Sequence, residues 1–128
     1  MNIPYELFLQ PMKKIYYLST CDTCKRILNE LQPIDGFELQ DIKPDAITSS
    51  QIEEMQALSG SYEALFSKRA RLYKERNLKD QTLTEENYKE LILEHYTFLK
   101  RPVIIMNDTI FIGNSKKEVA AAKEKIHG

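Results

Sequence analysis

The sequence predicts an α/β domain with a sheet of about four strands and a helical insertion placed ahead of a C-terminal β-hairpin. Three observations carry this prediction. Residues 14–42 pass from a strand-like run to a helical apolar pattern and back to alternation, with turn residues at each change. Residues 48–96 hold helical patterns only. Val103–Met106 and Thr109–Ile112 then flank Asn107-Asp108 as the two arms of a hairpin.

Each element has a local cause. Lys14-Ile15-Tyr16-Tyr17-Leu18 is a short aromatic and β-branched run, suited to a strand. Ser19-Thr20 gives a turn or cap signal, and Cys21 to Leu31 places Ile27, Leu28 and Leu31 at helical spacing before Pro33 and Gly36 close the segment. Phe37 to Ile42 alternates apolar and polar side chains, which predicts a second strand parallel to the first in a βαβ unit. In the insertion, Thr48 with Gln51 forms a capping-box signature for a helix carrying Ile52, Met55 and Leu58 and stopping at Ser59-Gly60. Tyr62, Leu65 and Phe66 lead into the basic stretch Lys68-Arg69-Ala70-Arg71. Thr82 with Glu85 predicts the next cap, opening a helix that buries Tyr88, Leu91, Ile92 and His95 or Tyr96. After the hairpin, Gly113-Asn114 ends the last strand and Ser115 with Glu118 caps a helix reaching Ile126.

Length and composition narrow the function. A chain of 128 residues suits one domain, expected over 13–128, with residues 1–12 as an N-terminal extension. No apolar run approaches the roughly 20 residues that cross a bilayer. A net charge of −1 leaves no overall basic footprint for nucleic acid. Two cysteines are too few for a disulfide-stapled secreted scaffold. Met1 to Pro11 lacks the basic start, apolar core and small-residue cleavage site of a signal peptide, so a cytoplasmic monomer is expected.

Cys21-Asp22-Thr23-Cys24 is the strongest chemical feature. A C-x-x-C where a strand hands over to a helix reads as a thioredoxin-like redox motif. Unpaired amides and the positive end of the helix dipole stabilise a thiolate there. Residues three apart on a helix are neighbours, so Cys24 is placed to resolve an adduct on Cys21 by closing a disulfide. Two other readings of the pair stay open: inert buried thiols, and half of a zinc site, although His95 and His127 lack the spacing of a second ligand pair. Lys25-Arg26 reads as a solvated helix face and His95 as a packed residue. If the fold carries Lys68-Arg69-Arg71 and Lys100-Arg101 to the Cys21 turn, amides and guanidinium groups would together form a seat for a tetrahedral oxyanion.

Ile15 to Arg26, Ser67-Lys68-Arg69-Ala70-Arg71-Leu72-Tyr73, Lys100-Arg101-Pro102-Val103-Ile104 and Gly113 to Val119 together resemble the ArsC/Spx family, from about Lys13 onward. That family joins glutaredoxin-linked arsenate reductases and the redox-sensing transcription regulator Spx. The resemblance implies a thioredoxin-like four-stranded mixed sheet with a helical insertion, and a cis bond before Pro102. It also implies that Cys21 attacks arsenate, that Arg101 and Arg69 (or Lys68) hold the oxyanion, and that glutathione and glutaredoxin release arsenite. Cys24, a second cysteine that those reductases usually lack, points instead to an internal disulfide, recycled by glutaredoxin or thioredoxin. A third arginine of the reductases falls where this chain has Gly113-Asn114, with Lys116 and Lys117 close by.

Two functions follow from the resemblance. One is a thiol oxidoreductase acting on an oxyanion such as arsenate, with no bound cofactor, no metal and no nucleic acid partner. The other is a Spx-like regulator that docks on the C-terminal domain of the RNA polymerase α-subunit, switched by a Cys21/Cys24 disulfide, with Gly60 near the docking surface.

Overall fold

The structure, a computed structural model, describes residues 12–128. The extension expected over 1–12 lies outside the described residues, apart from Met12.

Strands β1 (Lys13–Tyr17), β2 (Glu38–Asp41), β3 (Val103–Met106) and β4 (Thr109–Ile112) form one sheet in the order β2-β1-β3-β4. β1 runs parallel to β2 and antiparallel to β3, and β4 folds back on β3, so the sheet is mixed as expected. Helix α1 (Asp22–Leu31) provides the parallel crossover. The insertion holds α2 (Ser49–Ser59), α3 (Arg71–Glu75) and α4 (Glu85–Glu94) with short 3-10 turns, and α5 (Lys116–His127) ends the chain. Asn107 takes the left-handed conformation (φ 59°) that a two-residue hairpin turn requires.

The period of two along the strands sorts side chains into two cores. Ile15, Ile104 and Phe111 pack against Ile27 and Leu31 of α1 and Val119 and Ala122 of α5. Tyr16, Val103 and Ile105 face the insertion, where Ile52, Met55, Phe66, Ile92 and Phe98 close over them. His127 holds the two outer helices together, its Nε2 lying 2.7 Å from the Leu31 carbonyl oxygen.

Several boundaries differ from the sequence reading. β1 stops at Tyr17, and Leu18 is buried in the turn beyond it. β2 is shorter than Phe37–Ile42 because it is an edge strand, and its ladder spans only the register Lys14–Glu38 to Tyr17–Asp41. The helix expected from Cys21 starts at Asp22, leaving Cys21 as its extended N-cap residue. The α4 cap is Thr84 with Asn87, not Thr82 with Glu85. Glu85 is engaged elsewhere: its carboxylate accepts from the Tyr62 and Glu63 amides at 2.7 and 3.1 Å. Leu91, His95 and Tyr96 are only half-buried. The Thr48–Gln51 box forms as expected. Ser115 accepts from the Glu118 amide, but the Glu118 carboxylate turns away to the Ile112 amide at 2.9 Å.

Candidate functional site

Cys21 occupies the hinge between β1 and α1. Its amide donates to the Leu18 carbonyl at 3.0 Å and its carbonyl accepts from the Lys25 amide at 3.1 Å, so the residue is fixed on both sides. The Asp41 carboxylate steadies the same turn by accepting from the Ser19 amide at 3.2 Å. The Cys21 side chain is half-buried, whereas Cys24, one turn into the helix, is fully buried among Leu18, Ile42 and their neighbours.

These positions separate the two thiols electrically. Partial burial pushes the Cys21 thiol up, but the Cys24 amide and thiol, the Arg101 guanidinium and the Thr23 amide together outweigh it and hold the thiol below its ordinary value. This is the thiolate stabilisation expected of a helix start beside a cation. Cys24 moves the other way. Burial pushes its thiol up to about 11, and the negative charge favoured on Cys21 adds to the rise. Both are free thiols.

The cations arrive from two distant segments. The Ser67 amide donates to the Phe98 carbonyl at 2.7 Å and the Lys100 amide to the Leu65 carbonyl at 2.8 Å, an antiparallel bridge that clamps Phe66 to Leu99. Phe66 stacks on Phe98 with ring centres 5.3 Å apart and meets Tyr88 at 4.8 Å, so the clamp rests on a packed aromatic floor. The segment bearing Lys68 and Arg69 is thereby held beside the one bearing Lys100 and Arg101. The Arg101–Pro102 bond is cis, as the family resemblance implies, and Pro102 is buried; Gln32–Pro33 is a second cis bond that the sequence reading did not foresee.

Arg101 is braced from behind. Its Nη1 donates to the Leu99 carbonyl at 3.0 Å and, more weakly, to the Thr97 carbonyl at 3.4 Å. The Thr97 turn is itself closed by His95, whose Nδ1 accepts from the Thr97 amide at 3.0 Å. Arg101 Nε is buried and has no hydrogen-bond partner among the described residues. An unpaired buried donor on a guanidinium is costly unless an acceptor visits it.

Cys21, Lys68, Arg69 and Arg101 all line one open groove of about 1190 Å³. The convergence that sequence spacing left undecided therefore holds for these four residues, with Cys24 buried behind Cys21. The groove also distinguishes the two candidates for the middle cation. Lys68 Nζ pairs with Glu63 Oε2 at 2.9 Å, and the Tyr88 hydroxyl donates to the same oxygen at 3.3 Å. Arg69 has no ion-pair or hydrogen-bond partner among the described residues. Gly113, Asn114 and Ser115 also line the groove, with the Gly113 amide on the Pro102 carbonyl at 2.9 Å, and Lys116 and Lys117 do not. Gly60 needs no partner to explain it: at φ 92° it is the left-handed C-cap of α2.

Sequence reasoning missed Glu63, because its pairing with Lys68 crosses a 3-10 turn that no helical spacing announces. It also missed the bracing role of Thr97 and His95. Among the described residues there is no cluster of three His, Cys, Asp or Glu side chains able to hold a metal, and no helix long and apolar enough to cross a membrane.

Comparison with known proteins agrees with this architecture. The Escherichia coli K12 protein YfgD is 27% identical over 111 residues, covering 83% of this chain and 92% of that one. A Staphylococcus aureus COL protein of known solution structure superposes with a TM-score of 0.70 at 28% identity, over 86% of this chain and 97% of its own. An arsenate reductase from Vibrio cholerae superposes with a TM-score of 0.67 at 22% identity, over 86% and 98%. The model of the ArsC family matches residues 16–122, which take in the thiol turn, both cationic segments and three whole strands of the sheet, and this chain is a member of the ArsC family.

Proposed function

We propose that the protein is a thiol-dependent oxidoreductase of the arsenate reductase type, with Cys21 as nucleophile, Arg101 and Arg69 as oxyanion binders, and Cys24 as the resolving thiol. The observation that carries this reading is Arg101. Its Nη1 is occupied by backbone carbonyls, its Nε is unpaired, and its charge already favours the Cys21 thiolate.

In this mechanism a tetrahedral oxyanion sits against the guanidinium, which aligns it for attack by Cys21 Sγ. The sulfur bonds to the central atom and one oxygen departs with protons as water. Bonding removes the negative charge on Cys21 that helps keep Cys24 protonated. Cys24 then gives up its proton, attacks Cys21 Sγ and forms a disulfide, while the electron pair of the breaking bond leaves with the reduced substrate. Glutathione attacking the adduct is the competing route, with glutaredoxin completing the cycle; glutaredoxin or thioredoxin would reopen the disulfide.

The test is arsenate-dependent NADPH consumption coupled through glutathione, glutathione reductase and glutaredoxin. Cys21→Ser is expected to abolish turnover. Arg101→Ala is expected to lower kcat/KM by about 10²–10³-fold, the usual cost of losing one positioned oxyanion donor. Wild-type turnover no greater than that of Cys21→Ser would overturn arsenate as substrate.

A further inference from the structure

The groove is larger, and carries more cations, than a tetrahedral oxyanion at Arg101 alone would occupy. Its volume of about 1190 Å³ exceeds the ~300–1,000 Å³ common for drug-sized ligands. Five cationic side chains line it (Lys68, Arg69, Arg71, Lys100 and Arg101) against one carboxylate among the described residues, Glu63. The whole chain carries a net charge of −1, so the excess of cations over carboxylates lining the groove is a local feature and not the average of the chain. Lys68 and Arg71 are already paired, with Glu63 and Glu75, which leaves Arg69, Lys100 and Arg101 as cations without an ion-pair partner among the described residues. Gly113, Asn114 and Ser115, which also line the groove, offer polar atoms and no side-chain charge.

We infer that the groove receives an extended acidic segment of another protein that carries a disulfide, and that Cys21 exchanges with that disulfide. The inference rests on Cys21 being the reactive thiolate of the proposed function and adds the partner's chemistry. Charge complementarity selects an acidic partner and speeds its encounter. The thiolate selects a polypeptide over a nucleic acid, because the partner has to present an electrophilic sulfur. The groove also offers no stacking platform for bases, since Phe66 on its floor is 1% exposed. In the exchange, Cys21 Sγ attacks one sulfur of the partner's disulfide. A new S–S bond to Cys21 forms as the partner's own S–S bond breaks, and the departing thiolate takes a proton from water. Two sulfurs of the partner thus change from one disulfide to one mixed disulfide and one thiol, with no further oxidant or reductant.

The experiment uses the reduced full chain and ten-residue peptides whose single cysteine is a mixed disulfide with 2-nitro-5-thiobenzoate, with release of the coloured thiol as the readout. Flanking residues are Asp and Glu in one peptide, Asn and Gln in the second, and Lys in the third. The acidic peptide is expected to react about tenfold faster than the amide peptide at low salt, within the range of electrostatic steering, and the Lys peptide slowest. The preference should collapse near 1 M salt, where the screening length falls to about 3 Å. In Arg71→Gln/Lys100→Gln the acidic-to-amide rate ratio, measured within the same variant, should fall toward one. A three-residue acidic disulfide reacting as fast as the ten-residue one, or a single-stranded oligonucleotide competing as well as the acidic peptide, would overturn the inference. Equal rates for all three peptides, with Cys21 still rapidly alkylated by iodoacetamide, would overturn it and leave the thiolate reading standing. Slow alkylation of Cys21 would remove both.

Discussion

At the scale of single residues, the two thiols of one motif are set to opposite tasks by a single helical turn. Cys24 gains its raised pKa from burial, so its contribution to stability depends on staying neutral. The folded thiol titrates near 11, above its ordinary 9.0, and therefore stabilises the fold fully below about pH 9. That contribution is lost as pH rises through the folded value. Urea unfolding of the wild type should accordingly weaken relative to Cys24→Ala between about pH 9 and 11, by about 2 kcal/mol at the 1.36 kcal/mol per pKa unit of linkage; parallel pH curves for the two proteins would contradict the assignment. The cations divide in a similar way. Because Lys68 is engaged by Glu63 while Arg69 is not, Arg69→Ala should raise KM for an oxyanion several-fold and Lys68→Ala by less than about twofold, as expected for an exposed pair that contributes little. Equal effects of the two substitutions in steady-state kinetics would contradict this division.

At the scale of elements, the capping signatures show what was legible in the sequence and why some of it was not. The Thr48–Gln51 box was readable because both partners match the pattern and Gln51 is free to serve it. Gln51 does more than the pattern implies. Its Oε1 accepts from the Thr48 amide at 3.1 Å, and its amide group pairs reciprocally with buried Gln40 at 2.8 and 3.1 Å, tying α2 to β2. Gln51→Ala removes the return bond to the Thr48 amide and takes a partner from a buried amide, for an expected cost of about 2–3 kcal/mol. Asn87→Ala removes only the return bond from its side chain to the Thr84 amide, leaving the Thr84 cap itself in place, and should cost about 1 kcal/mol. Chemical denaturation that ranks the two equally would show that the Gln40 contact adds nothing. The Thr82–Glu85 reading failed because Glu85 has a tertiary duty at the Tyr62 and Glu63 amides, which no local pattern records. Strand β2 departs for a related reason: Leu39, apolar in the alternation, is exposed while Gln40 is buried against Gln51, and pairing ends where β1 ends.

At the scale of the whole molecule, the parallel β1–β2 pair, the β3–β4 hairpin, the helical insertion and the Cys21 turn were all legible, because each rests on periodicity or on residues adjacent in sequence. The meeting of Cys21 with Arg101 was not, since spacing says nothing about contacts across a fold and only the family resemblance pointed to it. The fold brings the pair together by carrying both cationic segments over the insertion-side core and clamping them at Phe66 and Leu99. That meeting is the central claim, and its direct test is the pH dependence of Cys21 alkylation by iodoacetamide. The measurement is made on Cys24→Ser, which keeps a side-chain donor beside Cys21, so that one thiol reports, in three states: folded, folded with Arg101→Ala, and unfolded in urea. The midpoint is expected to be lowest in the folded protein, higher with Arg101→Ala, and highest in urea, with rates at neutral pH falling in the same order. A folded-state midpoint no lower than that of the unfolded chain, or one untouched by removal of Arg101, would contradict it.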